Sequence, residues 1–175
     1  MRTLHFNTPQ CVQGWAAIDD RVMGGLSSSQ LVFHPDGHAL FEGTVSTDNN
    51  GGFASVRHAT LSLGEEGTTG YRLQVRGDGK RYKLNLRMDA GLDGVNYQAV
   101  FAPPDGRWVD LVLPLGSFRP SYHGCPVPYA PALQPSQVCQ VGWMVADGQT
   151  GPFQLAIRSV ACLGPAPASG DRATA

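Results

Sequence analysis

Apolar and polar residues alternate with a period of two through the middle of this chain. Tyr82, Leu84, Leu86 and Met88 fall on one face of an extended segment, with Lys83, Asn85 and Arg87 on the other. The same holds for Tyr71, Leu73 and Val75 against Arg72, Gln74 and Arg76, and for Tyr97, Ala99 and Phe101 against Asn96 and Gln98. Successive side chains of a strand point to opposite faces of a sheet, so each segment reads as a half-buried strand. Ser29–His34, Ala39–Thr47, Phe53–His58, Arg107–Leu113, Gln140–Ala146 and Phe153–Ala161 are further strand candidates. Breakers stand between them: Pro35-Asp36-Gly37, Gly77-Asp78-Gly79, Ala90 to Gly94, Pro104-Asp105-Gly106, Asp147-Gly148 and Gly151-Pro152. About nine or ten short strands at this spacing predict an all-β fold, an antiparallel β-sandwich or barrel. A single helical turn is predicted near Pro135–Val138. The segment Pro120 to Pro135, with five prolines, reads as a long ordered loop crossing from one sheet to the other.

Composition agrees with that reading. Of 175 residues, 22 are Gly and 13 are Pro, a density of chain breakers that suits strands joined by turns and opposes a helical bundle. The length predicts one domain over residues 1–163, followed by a disordered tail over 164–175, GPAPASGDRATA, which has little to bury. No apolar run approaches ~18 residues, so no membrane span is expected. The N-terminal segment resembles neither a secretory signal nor a mitochondrial presequence, and the expected location is cytoplasmic. Cys11, Cys125, Cys139 and Cys162 form no CxxC pair, so reduced thiols are expected rather than a zinc site. Cys139 and Cys162 read as small core residues, and Cys125 as the most exposed.

Charge changes the picture locally. The net charge is −1, yet residues 57–87 carry seven basic side chains against three acidic ones, a local excess of four. Under the strand register, Arg72, Gln74, Arg76, Lys83, Asn85, Arg87, Asn96 and Gln98 all face away from the core. If their strands are neighbours, they tile one sheet with guanidinium forks and amides. Such a face suits sugar hydroxyls, carboxylates or a partner's backbone, although a solvated sheet face is the commoner outcome. No nucleic-acid partner and no cofactor is expected.

Catalytic chemistry finds little support. His34 and His38 flank a turn that brings opposite strands together, but the residues around them do not make up a full metal-ligand set. No GxSxG elbow is present, and Ser27, Ser28 and Ser29 read as turn formers. Asp19 and Asp20 would point to opposite sides of a strand, so they do not read as a catalytic pair. Accepting backbone N–H groups in the turn toward Met23, Gly24 and Gly25 is the expected role. Arg76-Gly77-Asp78 spells an adhesion motif but reads as a hairpin turn. Trp15, Trp108 and Trp143 lie in strand-like runs where core packing is the rule. The chain is therefore not expected to be an enzyme.

Two glycine pairs, Gly24-Gly25 and Gly51-Gly52, punctuate the first third of the chain without the spacing or the following helix of a phosphate cradle. Together with Trp15, Asp20, Val22-Met23, Ser27, Phe41-Glu42-Gly43, Asn50, Phe53, Arg57, Arg76-Gly77-Asp78-Gly79, Tyr82, Pro114 and Gly151-Pro152-Phe153, they make up an ordered set of motifs. That set resembles the complex I intermediate-associated protein 30 family, from about residue 4 to residue 163. The resemblance implies a jelly-roll β-sandwich of the galactose-binding-like class. It also implies a protein partner in the assembly of NADH:ubiquinone oxidoreductase, a respiratory-complex subunit or assembly intermediate. The leading expectation is a non-catalytic protein-binding module. Its surface would combine Arg57, Arg76, Asp78, Lys83, Arg87 and Gln98 with the loops at Asp20, Met23, Gly24, Gly25 and Asn50. The alternative is a module binding carbohydrate or a small polar ligand, with an exposed aromatic such as Trp108 beside Arg and Asn. A hydrolase would need a His within reach of Ser or Asp in a cleft. The two glycine pairs are expected to hold two loops in close contact, next to Arg76-Gly77-Asp78-Gly79.

Overall fold

The computed structural model describes residues 2–20, 24–48 and 51–165. Two antiparallel sheets face one another. Sheet I contains β3 (Ser28–His34), β4 (His38–Val45), β13 (Gly151–Leu163), β6 (Gly70–Arg76) and β9 (Trp108–Pro114), in that order, with β1 (Thr3–His5) paired to the far half of β13. Sheet II runs β11 (Cys125–Pro126), β10 (Arg119–Tyr122), β8 (Asn96–Phe101), β7 (Tyr82–Arg87), β12 (Gln140–Val145), β5 (Ala54–His58) and β2 (Trp15–Ala17). The all-β sandwich expected from the alternation is the fold observed. The expected helical turn is a 3-10 turn at Pro135–Gln137.

The alternating apolar residues meet between the sheets. Tyr71, Leu73 and Val75 of β6 and Phe41 of β4 face Tyr82, Leu84 and Leu86 of β7 and Trp143 of β12, all of them fully buried. Phe41, Tyr82, Phe101, Phe153 and Trp143 form a chain of tilted and edge-on ring contacts across the layer, with centroids 4.9–6.4 Å apart. Burying such rings removes large apolar area from water and dominates the stability of the sandwich.

Two expectations about connections are corrected. Arg76-Gly77-Asp78-Gly79 is not a hairpin: β6 belongs to sheet I and β7 to sheet II, so the turn carries the chain between layers. Alternation reports which residues point inward, not which strand lies alongside. The polar positions of β6 and β7 therefore sit on opposite outer surfaces of the sandwich. The proline-rich segment 120–135 leaves sheet II at β11 and returns to it at β12, rather than crossing between sheets. Of the predicted tail 164–175, residues 166 onward lie outside the described residues, and the Gly164 carbonyl accepts a hydrogen bond from the Thr69 hydroxyl at 3.4 Å.

Candidate polar face and loop junction

Asp20 organises the loops that carry the glycine pairs. Its side chain is fully buried. Oδ1 accepts the Ser27 N–H at 3.0 Å, and Oδ2 accepts the Ser27 hydroxyl at 2.6 Å, the Gly52 N–H at 2.7 Å and the Phe53 N–H at 3.4 Å. Burial pushes the carboxyl pKa up, and the hydrogen bonds from Ser27, Gly52 and Phe53 outweigh burial to hold it below its ordinary value. The glycines follow from this packing. A Cβ on Gly25 would overlap the Asp20 carboxylate, and one on Gly51 would overlap both that carboxylate and the Ser46 carbonyl. Gly24 has open space around it but takes φ +86°, a conformation that disfavours side chains.

Asp19 points elsewhere, as its neighbouring position predicts. Its Oδ1 accepts the Ser29 hydroxyl at 2.5 Å and the Ser55 N–H at 3.0 Å. The two loops do meet, around Asp20. Asp78 fastens to neither of these described loop segments but accepts the Lys80 N–H at 3.1 Å and the Gln154 N–H at 2.8 Å. Met23 and Asn50 lie outside the described residues. Asp20, Gly25 and Asp78 thus hold loops together, and Gly24 turns the chain beside them.

The outward face of sheet II gathers the remaining candidates. Register pairs Ala16 with Arg57, Arg57 with Gly142, Gly142 with Asn85, Asn85 with Gln98 and Gln98 with Arg119, a lateral row across six strands. A second row runs Ser55, Met144, Lys83 and Val100. The Met144 sulfur receives the Asn85 amide at 3.8 Å and the Gln98 amide at 3.7 Å, so a thioether lies over the polar row. Asn85 Oδ1 is buried without a partner. Arg57, half-buried, makes no hydrogen bond or ion pair to any described residue. Burial lowers its pKa, as does the Arg87 guanidinium, while Asp89 opposes them. Lys83 is tied to Asp147 at 3.1 Å.

Two expectations about this face change. Arg87 is not presented to solvent: it is 2% exposed, paired with Asp89 at 2.8 Å and bonded to the Leu92 carbonyl at 3.2 Å. The loop after β7 folds back over it, and Gln140 holds that loop through the Asp89 and Gly91 carbonyls at 2.7 and 2.9 Å. Arg76 stands on the outer face of sheet I, opposite Trp108, and so is remote from Lys83 and Gln98. The structure therefore unites Arg57, Lys83 and Gln98, and adds Ser55, Gly142 and Met144. The alternation Gln140, Gly142, Met144 against Val141, Trp143, Val145 already carried the signal for these additions.

The aromatic required for a sugar platform is absent from those two rows. Trp108 lies on the other sheet, with the Arg158 guanidinium 3.8 Å from its ring centroid. Two histidines contact carboxylates: His123 meets Asp93 at 2.7 Å and His34 meets Asp36 at 3.6 Å, both at exposed positions. Neither is hydrogen-bonded to a serine. His34 and His38 do come together, as stacked rings with centroids 4.6 Å apart. Among the described residues, no three His, Cys, Asp or Glu side chains are grouped to hold a metal. No helix among them is long and apolar enough to cross a membrane. Cys125 is exposed and Cys162 buried, as expected, whereas Cys139 is only half-buried.

Solved structures of carbohydrate-binding modules share this sandwich fold. The family 11 module of the cellulosomal cellulase Lic26A-Cel5E of Clostridium thermocellum matches with a TM-score of 0.66 and 16% identity, over 93% of this chain and 94% of that one. The family 11 module from the same organism in complex with a β-1,3-1,4-mixed-linked tetrasaccharide matches at 0.60 and 18%, over 85% and 89%. Residues 4–157 match the family model of complex I intermediate-associated protein 30, and the chain belongs to that family. An uncharacterised protein of Schizosaccharomyces pombe is 29% identical over 86% of this chain and 78% of its own length. The mitochondrial complex I intermediate-associated protein 30 of Drosophila melanogaster is 25% identical over 87% of this chain, which spans 59% of the fly protein.

Proposed function

We propose that this chain is a non-catalytic protein-binding module that acts in the assembly or stabilisation of a multisubunit complex; its fly relative is named for association with a complex I intermediate, which supports the reading. The binding surface is the outward face of sheet II. The observation that carries this reading is the composition of its two rows: an unpaired Arg57, the amides of Asn85 and Gln98, and Met144 above them, without an aromatic. Arg and Met are enriched at the cores of protein interfaces. A guanidinium without a carboxylate, on a half-buried site, gains most from a partner that supplies one.

Affinity capture from native extract tests this, comparing the wild-type chain with Arg57→Glu and Gln98→Lys, each first shown to melt like wild type. The expected result is one stoichiometric protein recovered by wild type and lost with both variants. Equal recovery by all three chains contradicts the assigned face. The second reading, a carbohydrate module, is favoured by the fold shared with the tetrasaccharide-bound family 11 module. Calorimetry against mixed-linked glucan oligosaccharides separates the two, and heat abolished by Arg57→Glu would favour the sugar.

A further inference from the structure

The outer face of sheet I carries a cluster that the reading above does not use. A β-bulge interrupts the pairing of β13 with β6 between Ile157 and Ser159, so Arg158 is inserted without a partner on β6. Bulges re-aim side chains. Here the Arg158 guanidinium lies 3.8 Å from the centroid of the Trp108 ring, and that of Arg76 lies 5.1 Å from it. Trp108 in turn meets the edge of His38 with centroids 5.2 Å apart, and His38 stacks on His34. His38 is 2% exposed, and neither of its ring nitrogens has a hydrogen-bond partner.

Positive charge in this cluster has no counterpart. Neither Arg76 nor Arg158 makes an ion pair or side-chain hydrogen bond to any described residue. The carboxylates on the same face are committed or set apart. Asp36 faces His34 at 3.6 Å, and Glu42 accepts the Gln30 and Gln154 amides at 3.1 and 2.9 Å. Asp110 is exposed opposite Gln74 and pairs with neither arginine. Two guanidinium groups held over one indole keep their N–H edges free and pre-oriented.

We propose that Arg76 and Arg158, pinned on Trp108 beside His34 and His38, form a carboxylate-binding site for an acidic segment of a protein partner. It lies on the sheet opposite the Arg57 face and stands independently of that assignment. The planar guanidinium fork matches a carboxylate in a bidentate pair, and contact with the Trp108 ring holds the fork in place. The two guanidinium groups stand on neighbouring strands, β13 and β6, and so offer two forks side by side, which favours carboxylates repeated along a chain over a single ion.

The test follows the Trp108 indole N–H by NMR while the full chain is titrated with a capped tetraglutamate peptide and, separately, with inorganic phosphate. A saturable shift of that resonance by the peptide at millimolar concentration or below is expected, with binding weakened about tenfold in Arg158→Gln and in Arg76→Gln. Arg158→Lys, which keeps the charge without the fork, should recover only part of the loss. No saturable shift with the peptide overturns the site. So does tighter binding of inorganic phosphate than of the peptide. Undiminished peptide binding in both glutamine variants also overturns it, because the contact then lies elsewhere. Should Arg158→Gln fail to fold, Arg76→Gln and the Trp108 shift itself still decide the matter.

Discussion

The carboxylate of Asp20 accepts the amide N–H of Gly52 at 2.7 Å, across 32 residues of chain, and so ties the two glycine-pair loops to one buried charge. The same oxygen takes the Ser27 hydroxyl, and that hydroxyl also receives the Ser46 N–H at 3.0 Å. Each glycine pair makes room for this junction or turns the chain around it.

Removing the charge should therefore unfold the junction. Asp20→Ala leaves several buried donors without an acceptor, and a loss of about 3 kcal/mol or more is expected. Asp20→Asn keeps the shape but turns an amide toward backbone donors, so most of that loss should remain. Urea denaturation of the three chains measures it.

The glycines should rank by cause. Gly25→Ala and Gly51→Ala force a methyl group onto the Asp20 carboxylate and should cost about 2 kcal/mol or more. Gly24→Ala meets no atom and pays only for its left-handed backbone, about 1 kcal/mol. Thermal melts of the single variants give the order. Equal effects would contradict the packing described.

Acid stability carries the Asp20 signature. Its folded pKa lies below the unfolded one, near 3.9 for an ordinary Asp. The stabilisation is therefore complete above the unfolded value and lost as pH falls through the folded one. The stability difference between wild type and Asp20→Asn should be flat above about pH 5 and shrink steadily below about pH 4.

His38 should titrate low. Burial lowers its pKa most, and the charges of His34, Arg76 and Arg158 lower it further, while Asp36 opposes them. A histidine held neutral in the fold favours stability above about pH 6.5, a contribution lost as pH falls toward the depressed folded value. Its ring C–H resonance, followed by NMR, should move at a pH below the ordinary histidine value.

Alternation in the sequence was enough to find most strands and to sort inward from outward residues. Tyr82, Leu84 and Leu86 are buried as the pattern predicts. What it does not contain is non-local pairing. Arg76 and Lys83 look like neighbours across a turn, yet they stand on opposite surfaces because that turn changes sheets. Arg87 looks exposed for a related reason: the cover over it is a loop held by Gln140, fifty-odd residues on, and no local period reports such a lid. The glycine pairs were legible as a loop junction. Asp20 was legible as a backbone acceptor, but the partners across the gap were not.

Arg87 should now behave as a structural residue. Arg87→Met leaves the Leu92 carbonyl and the Asp89 carboxylate without their donor and should cost about 2 kcal/mol, discounted for the half-exposed Asp89. Partner capture by the folded fraction should be unchanged, which distinguishes it from Arg57.

The outward face of sheet II as a protein-binding surface is tested most directly by photo-crosslinking. A photoreactive amino acid replaces Val100, which stands exposed beside Lys83, or Tyr129 in the proline-rich loop as a control. The chain is then irradiated in native extract. The probe at Val100 should yield one discrete protein adduct, reduced about tenfold by Arg57→Glu, while the probe at Tyr129 yields none. No adduct at Val100, or one formed equally from Tyr129 and indifferent to Arg57, would contradict the assignment.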